Sequence, residues 1–265
     1  MRAIDIVVGF DQREAVAYHV FCQSVLEKSS KPVRFIPLVR DSLLGYREQH
    51  SDGSNSFTYS RFLCPSLMDW KGHAIYADGD MVCTSDIAEL WDLRDPDKAV
   101  QVVKHSYRTK AFKKYLGNRN EDYPRKNWSS LILWNCQHPK NSQLTPTFIG
   151  RSSGAFLHRF QWLEDAEIGE LPLEWNWLAT EYEANPSAKI IHYTLGTPCF
   201  SEYSSAEMSE LWHDARDRAN QGLTQLPLTY GAPRFNSCFH FQRRFFSPML
   251  AFFVVRSPTV VKLKV

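Results

Sequence analysis

Two carboxylates separated by one glycine, Asp78 and Asp80, interrupt an apolar run between residues 74 and 82. In a strand, side chains two residues apart point to the same face, so we expect both carboxylates to face one way. Like charges this close are costly unless a cation lies between them or one of them is protonated. The tripeptide therefore has two interpretations: a divalent-metal site that binds a diphosphate, or a strand-end turn with solvated acids.

The elements that must position these acids are predicted to be alternating strands and helices. Apolar runs predict strands at 4–10, 32–38, 99–105, 129–135 and 188–194, besides the strand that carries the acids. Helices are predicted at 11–27, from 57 to a stop near 65 or 70, and at 86–91, 155–165 and 204–219. The initial strand, helix and strand indicate a parallel α/β layer. Asp11 is expected to cap the first helix, with Glu14 completing a capping box.

Composition places the chain among ordinary globular proteins. Its 265 residues are 43% hydrophobic and 23% charged, with a net charge of +2 that predicts no nucleic-acid partner. Six cysteines without a C-x-x-C pair are expected to be buried thiols in a reducing compartment, which favours a cytoplasmic location. Neither a signal peptide nor a membrane-spanning segment is expected.

Charge is distributed unevenly along the chain. Seven basic residues and no acidic residue follow Asp217. We therefore predict a main domain at 1–217 and a basic, apolar tail at 218–265. The tail has two interpretations, a peripheral contact with the anionic inner face of a membrane and an extension without a selected role.

Six segments occur in a specific order over about residues 1–213. They read VVGFDQRE, FTYSRF, IYADGDMV, WSSLILWN, FQWLEDAEIGELPLEWNWL and HYTLG. Together they resemble metal-dependent nucleotide-sugar glycosyltransferases of the GT-A fold, in particular the group that contains family 8. The resemblance implies an α/β fold with a mainly parallel central sheet flanked by helices. It also implies transfer of a sugar from a nucleotide diphosphate, expected to be UDP, to a glycan, lipid or small-molecule acceptor.

The resemblance also implies a metal site formed by Asp78, Asp80 and His192. Oxygen ligands suit Mg²⁺ or Mn²⁺, and an imidazole ligand favours Mn²⁺. Such a cation neutralises the charge of the leaving diphosphate as a Lewis acid. The alternative for His192 is a hydrogen-bonded histidine at the end of a strand.

Further site residues follow from the same resemblance. Donor contacts are expected from Phe10, Asp11, Tyr59, Arg61, Asp78, Lys104, Ser129 and Gly196, acceptor contacts from Trp175 and Asn176, and catalytic roles from Arg61 and Asp165. Each has a structural alternative, such as a helix cap for Asp11 and a core position for Trp175. The segment LEDAE around Asp165 matches the acidic-amide-acidic motif of the family imperfectly. Family 8 implies retention at the anomeric carbon, with the departing phosphate assisting deprotonation of the acceptor.

Two other functions remain open at this stage. The acid pair also resembles the nucleophile motif of haloacid-dehalogenase-type phosphatases, in which Asp78 would attack phosphorus. That family usually places the motif on its first strand, whereas two predicted strands precede it here. The second is a non-catalytic module that binds a carbohydrate or a nucleotide.

Overall fold

A fully buried apolar strand near the start of the chain, β1 (Ile4–Gly9), is central to this fold. The computed structural model describes residues 3–225. The other strands are β2 (Val33–Leu38), β3 (His73–Ala77), β4 (Met81–Cys83), β5 (Val100–Val102), β6 (Lys113–Lys114), β7 (Asn118–Arg119), β8 (Leu131–Asn135), β9 (Ile168–Glu170), β10 (Trp177–Leu178) and β11 (Ile190–His192). The α-helices are α1 (Ala15–Leu26), α2 (Cys64–Leu67), α3 (Ile87–Asp92), α4 (Pro146–Arg151), α5 (Gly154–His158) and α6 (Ser209–Gln225).

The strands form one large sheet and two small ones. The large sheet has the order β2-β1-β3-β8-β5-β9, in which β8 is antiparallel to its neighbours β3 and β5 and the other pairs are parallel. A second sheet has the order β10-β11-β4, and β6 pairs with β7 in a third. The predicted α/β fold with a mainly parallel central sheet is therefore confirmed.

Alternate residues of the central strands enter two different hydrophobic clusters. Val7 and Ile132 belong to one cluster, whereas Ile6 and Leu133 belong to the other. Because successive side chains of a strand point to opposite faces, both faces of the large sheet are covered. Each fully buried aliphatic side chain of this kind contributes about 1.5–3 kcal/mol to folding. Covering both faces explains why these strands read as uninterrupted apolar runs.

The first helix differs from its prediction at one residue. Asp11 caps a 3-10 turn, Gln12–Glu14, by accepting a hydrogen bond from the Arg13 backbone N–H at 2.9 Å, as predicted. The capping box predicted for Glu14 is wrong. Its buried side chain instead accepts a hydrogen bond at 3.1 Å from the hydroxyl of Thr197, which is distant in sequence. A hydrogen bond from a residue distant in sequence therefore takes the place of the predicted bond within the helix.

Two helices are shorter than predicted, and one is shifted. The prediction at 155–165 is wrong beyond His158, where α5 ends. The segment from residue 57 forms a 3-10 turn, Ser60–Leu63, followed by the four residues of α2. The last helix, α6, runs to Gln225 and so crosses the predicted domain boundary after residue 217. Arg218 of this helix pairs with Glu27 at 2.9 Å.

The cysteines, the helices and the tail bear on the predicted compartment and on the predicted membrane contact. The five cysteines outside the C-terminal segment, Cys22, Cys64, Cys83, Cys136 and Cys199, are free thiols. No helix within residues 3–225 has the length and apolar character needed to cross a bilayer. Most of the predicted basic tail lies outside the described residues, so its membrane contact stays a prediction.

The acid pair lies at a junction between two sheets. Strand β3 of the large sheet ends at Ala77, and β4, which begins at Met81, pairs with β11 of the second sheet. The two acids are therefore in the connection, and the prediction that they share one continuous strand is wrong. This connection requires a residue without a side chain at position 79. A Cβ atom on Gly79 would lie only 2.5 Å from the carbonyl oxygen of Gly9, which is too close.

Replacing this glycine should destabilise the fold. In Gly79→Ala the new methyl group meets backbone, which cannot rotate away as a flexible side chain can. We expect a loss of about 1–3 kcal/mol in the free energy of unfolding, measured by urea denaturation. Gly150→Ala in α4 is the matched control, because its Cβ would find no atom closer than 3.6 Å. Equal stability of the two variants would contradict the close approach at Gly79.

Candidate active site

Three side chains meet where the two sheets join. Asp78 follows β3, Asp80 precedes β4, and His192 is the last residue of β11, opposite Met81 in the register. The Tyr193 backbone N–H donates to the Asp80 carbonyl at 3.0 Å and extends this pairing. One ligand atom from each of the three buried side chains lies within 4.8 Å of the other two.

The side chains of Asp80 and His192 face each other without forming a hydrogen bond. Oδ1 of Asp80 lies 3.2 Å from Nε2 of His192, yet this buried oxygen has no hydrogen-bond partner within the described part of the chain. Nδ1 of His192 lies 3.1 Å from Oδ1 of Asn176, whose Nδ2 donates to the hydroxyl of Ser130. Because an amide oxygen only accepts, Nδ1 donates its proton to Asn176, and this contact directs Nε2 of the ring towards the Asp80 carboxylate.

Asp78 is held by fixed partners. The Tyr76 hydroxyl donates to Oδ1 of Asp78 at 2.6 Å, and Nη1 of Arg61 lies 3.0 Å from the same oxygen. Arg61 is itself buried and also donates to the carbonyl of Ser129 at 2.9 Å. Burial raises the pKa of Asp78; the charge of Arg61 opposes this shift, and that of Asp80 adds to it. A bound cation would favour the ionised form of both acids.

This set of ligand atoms fits a divalent cation. Two carboxylates and an imidazole nitrogen are a suitable ligand set for Mn²⁺, and carboxylates suit Mg²⁺ as well. The unpartnered Asp80 oxygen and Nε2 of His192 face the same space, where a cation would bind both atoms. Asn176 completes the arrangement, since histidine ligands generally donate their other ring N–H to a fixed acceptor.

The three side chains open into a small polar cleft of about 100 Å³. Five of the predicted site residues line it, namely Arg61, Asp78, Asp80, Ser129 and His192. Of the described residues that line the cleft, two are acidic, Asp78 and Asp80. A neighbouring pocket of about 460 Å³ shares Lys114, Tyr123 and His158 with this cleft, so the two together reach the size of common small-molecule sites, about 300–1,000 Å³.

Three residues predicted to bind the base and the sugar do not line this cleft, namely Phe10, Asp11 and Tyr59. Both carboxylate oxygens of Asp11 already accept hydrogen bonds, from Arg13 and from the Ser56 backbone N–H. Phe10 packs edge-on against Tyr18 at 5.8 Å. The hydroxyl of Tyr59 donates to Asp52, and its ring borders a neighbouring pocket.

The remaining predicted residues are not brought into the cleft. Trp175 is in the core, where the Lys189 ammonium lies 4.9 Å from its ring centroid, and Asn176 is fully buried against His192. Lys104 lies 5.9 Å from the ring of Trp128. A Cβ at Gly196 would meet the ring of Tyr203 and the Cβ of Tyr115, so this glycine is enclosed by protein atoms. The side chain of Asp165 is 88% exposed and pairs with Arg125.

Several residues that line the cleft are absent from the predicted set. They include Lys114, Tyr115, Tyr123 and Asn127 from the segment 107–127, together with His158 and Thr194. We call residues 107–127 the cover segment, because it lies across the cleft. Its basic and aromatic composition was the one sequence signal for this role, and it lacks the periodicity that would place its side chains. Burial lowers the pKa of Lys114, and the nearby charge of Asp80 opposes this.

The phosphatase alternative requires a free oxygen on Asp78. Both oxygens of this carboxylate are engaged, by the Tyr76 hydroxyl and by the Arg61 guanidinium. A carboxylate held in this way is a poorer nucleophile than a free one, because its lone pairs are directed at donors. The position of the motif on the third strand also differs from the arrangement usual for that class.

Sequence comparisons agree with the resemblance. The model of the family described as Glycosyl transferase family 8 matches residues 14–147, a range that includes Asp78 and Asp80 but not His192. Protein CDI of Arabidopsis thaliana is 42% identical over 225 residues, which cover 82% of this chain and 87% of that protein.

Structural comparisons agree on the fold. The apo structure of the bifunctional glycosyltransferase WbbM gives a TM-score of 0.58 at 14% identity, covering 81% of this chain and 49% of WbbM. The apo glycosyltransferase GlyE of Streptococcus pneumoniae TIGR4 gives 0.53 at 15% identity, covering 84% of this chain and 64% of GlyE. This chain therefore spans about half the length of WbbM. At these identities the similarity shows a shared fold, that of the GT-A glycosyltransferases.

His158 in the cleft wall should make stability depend on pH. Burial lowers the pKa of His158 to about 3, and the charges of Arg61 and Lys114 lower it too. The unfolded chain, with a histidine pKa near 6.5, then binds more protons than the folded chain as pH falls. We expect up to about 2 kcal/mol of stability to be lost between pH 7 and pH 5 through this residue.

Urea denaturation of the wild type and of His158→Gln at both pH values measures this effect. The variant should lose less stability than the wild type on acidification. His19→Gln on the exposed side of α1 is the control and should behave as the wild type does. An unchanged pH dependence in His158→Gln would show that this histidine does not carry the effect.

Proposed function

This chain belongs to glycosyl transferase family 8 and is a nucleotide-sugar glycosyltransferase; from this premise we propose its donor, its metal site and its stereochemistry. We propose that the donor is a UDP-sugar and that Asp78, Asp80 and His192 hold the cation, with Mn²⁺ preferred. We further propose that transfer occurs with retention at the anomeric carbon. The observation that carries the proposal is the unbonded approach of Asp80 Oδ1 to His192 Nε2 at 3.2 Å in a buried site.

The cation preference follows from the chemistry of the ligand atoms. Carboxylate oxygens bind Mg²⁺ and Mn²⁺, whereas the imidazole of His192 favours the softer Mn²⁺. When bound, the cation supplies Lewis-acid neutralisation of the diphosphate. Asn176 acts as a positioning residue, because its contact with Nδ1 directs Nε2 of His192 towards the acids.

Arg61 is proposed to organise the acids and to contact the donor. Its guanidinium compensates the buried charge of Asp78 and is fixed by the Ser129 carbonyl, so it does not depend on the ligand for its position. Such preorganised charge stabilises a transition state without reorganisation during the reaction. Ser129 lines the same cleft, and its hydroxyl lies 2.7 Å from Nδ1 of His158.

Retention accords with the scarcity of acids in the cleft. An inverting reaction needs a general base that is free to take the acceptor proton. The two acids that line the cleft within residues 3–225 are both assigned to the metal site. In the retaining reaction the bond from the anomeric carbon to the diphosphate oxygen breaks and its electron pair stays on that oxygen. The acceptor oxygen forms the new bond on the same face, and its proton passes to the leaving diphosphate.

The other proposals concern the domain, the location, one further residue and the acceptor. We assign the activity to residues 1–217, and we propose a cytoplasmic location from the free thiols among the described cysteines. Asp165 is proposed as a catalytic residue from its sequence motif alone, and its exposed position favours another role. The acceptor is proposed to be a glycan, a lipid or a small molecule.

Binding of UDP should require the metal site. In calorimetry with Mn²⁺ present, we expect the wild type to bind UDP and to lose most of this binding after chelation. Asp80→Asn should weaken UDP binding by on the order of 100-fold, because it removes a ligand charge without changing the side-chain volume. Asp97→Asn, at an exposed position, is the matched control and should bind as the wild type does.

Two results would overturn this assignment. Equal affinity for UDP with and without the divalent cation would exclude a metal-bridged diphosphate. Failure to bind UDP, combined with tight metal-dependent binding of GDP, would reject the proposed base and keep the class of enzyme.

The stereochemistry can be measured once a donor is found. Hydrolysis of the UDP-sugar by the enzyme, followed by early proton NMR of the released sugar, should show the anomer present in the donor. An initial product of opposite configuration would identify an inverting enzyme and would require a base that this proposal does not contain.

A further inference from the structure

The cover segment is fixed to two separate walls of the cleft through Tyr115. The backbone N–H of this residue donates to the Leu195 carbonyl at 2.6 Å, close to the metal-site histidine. Its ring stacks on Phe200, with centroids 5.6 Å apart. Its hydroxyl donates to the Ser54 carbonyl at 3.4 Å on the opposite wall. The segment therefore bridges two loops that are distant from each other in sequence.

This bridge limits the space beside the metal site. The cleft measures about 100 Å³, while sites for small molecules commonly measure about 300–1,000 Å³. The side chains that limit the space include Lys114, Tyr115 and Tyr123 of the cover segment itself. Their withdrawal would enlarge the cleft without changing the core strands. Movement of the cover segment would therefore change the space available to a ligand beside the metal site.

Lys114 places a positive charge inside the cleft without a direct ion-pair partner among the described residues. Its ammonium donates to the Ser54 hydroxyl at 3.3 Å, and no carboxylate oxygen of residues 3–225 lies within 4.0 Å of it. Arg61, the other cation lining the cleft, is already paired with Asp78. A half-buried ammonium without a counter-ion is unfavourable, and an entering anion would compensate it.

We propose that Lys114 binds the diphosphate of the donor and that this contact holds the cover segment closed over the bound nucleotide. The inference rests on the proposed function, since the anion is the diphosphate of the donor. Lysine presents its charge as a compact donor on a flexible stem, which suits a contact made only after the ligand has entered. The same ammonium stabilises the negative charge that the diphosphate gains when the sugar departs.

The neighbouring residue provides an internal control. Lys113 and Lys114 form β6, and successive side chains of a strand point to opposite sides. Lys113 is exposed and does not line the cleft, whereas Lys114 lines it. The two lysines have the same charge and adjacent positions, so long-range electrostatics act on them almost equally. A difference between their variants therefore reports direct contact with the ligand.

Calorimetry with UDP and Mn²⁺ tests the contact. Lys114→Gln should weaken UDP binding by about 10-fold to 100-fold, as expected for loss of a charge-assisted hydrogen bond. Lys114→Arg should recover most of the affinity, and Lys113→Gln should remain within about twofold of the wild type. Uridine, which carries no phosphate, should bind all four proteins equally. A change in uridine affinity in Lys114→Gln would indicate a merely structural role and would overturn the inference.

Trypsin digestion tests closure, because the cover segment contains several lysines and arginines. UDP with Mn²⁺ should slow cleavage within residues 107–127 of the wild type at least several-fold, and should slow it less in Lys114→Gln. Equal protection of both proteins would contradict a cover held by Lys114. Metal-dependent UDP binding that is unchanged in Lys114→Gln would reject this inference and leave the proposed function intact. Absence of metal-dependent nucleotide binding in the wild type would reject both.

Discussion

The buried approach of the Asp80 carboxylate to the His192 imidazole is the constraint on which the rest of the site depends. Two electron-pair donors 3.2 Å apart in a buried site repel each other unless a cation or a proton joins them. The surrounding contacts hold them in place: Asn176 fixes the imidazole, and β4 and β11 fix the backbone. Arg61 compensates the next acid, Asp78, so that the site does not carry two unbalanced negative groups.

The sequence predicted the parts of this site that have a local signature. Asp78 and Asp80 end an apolar run, His192 ends another, and strand ends in an α/β sheet meet at one edge. The local spacing could not predict that β3 and β4 belong to different sheets, because that depends on pairing with a strand more than one hundred residues away. Glu14 shows the same effect: its sequence favours a helix cap, and its partner, Thr197, comes from the far end of the fold.

Other contributions had no local signature at all. Asn176 was expected at the acceptor, and its contact with His192 becomes visible only when β10 and β11 are paired. Lys114 lies in a segment with two-residue strands and a residue, Leu116, with a positive φ of 57°. Such backbone gives no repeating pattern from which the direction of a side chain could be read. Tertiary contacts through Tyr115, not periodicity, place the lysine in the cleft.

The position of the acid pair at the junction of two sheets has a mechanical consequence. Asp78 is attached to the end of a strand of the large sheet, whereas Asp80 and His192 belong to the connection and strands of the small sheet. An ion bound by all three would act as a cross-link between separately hydrogen-bonded sheets. By linkage, the free energy of ion binding would then also oppose their separation. The small sheet would then be held more firmly against the large sheet when the ion is bound than when it is absent.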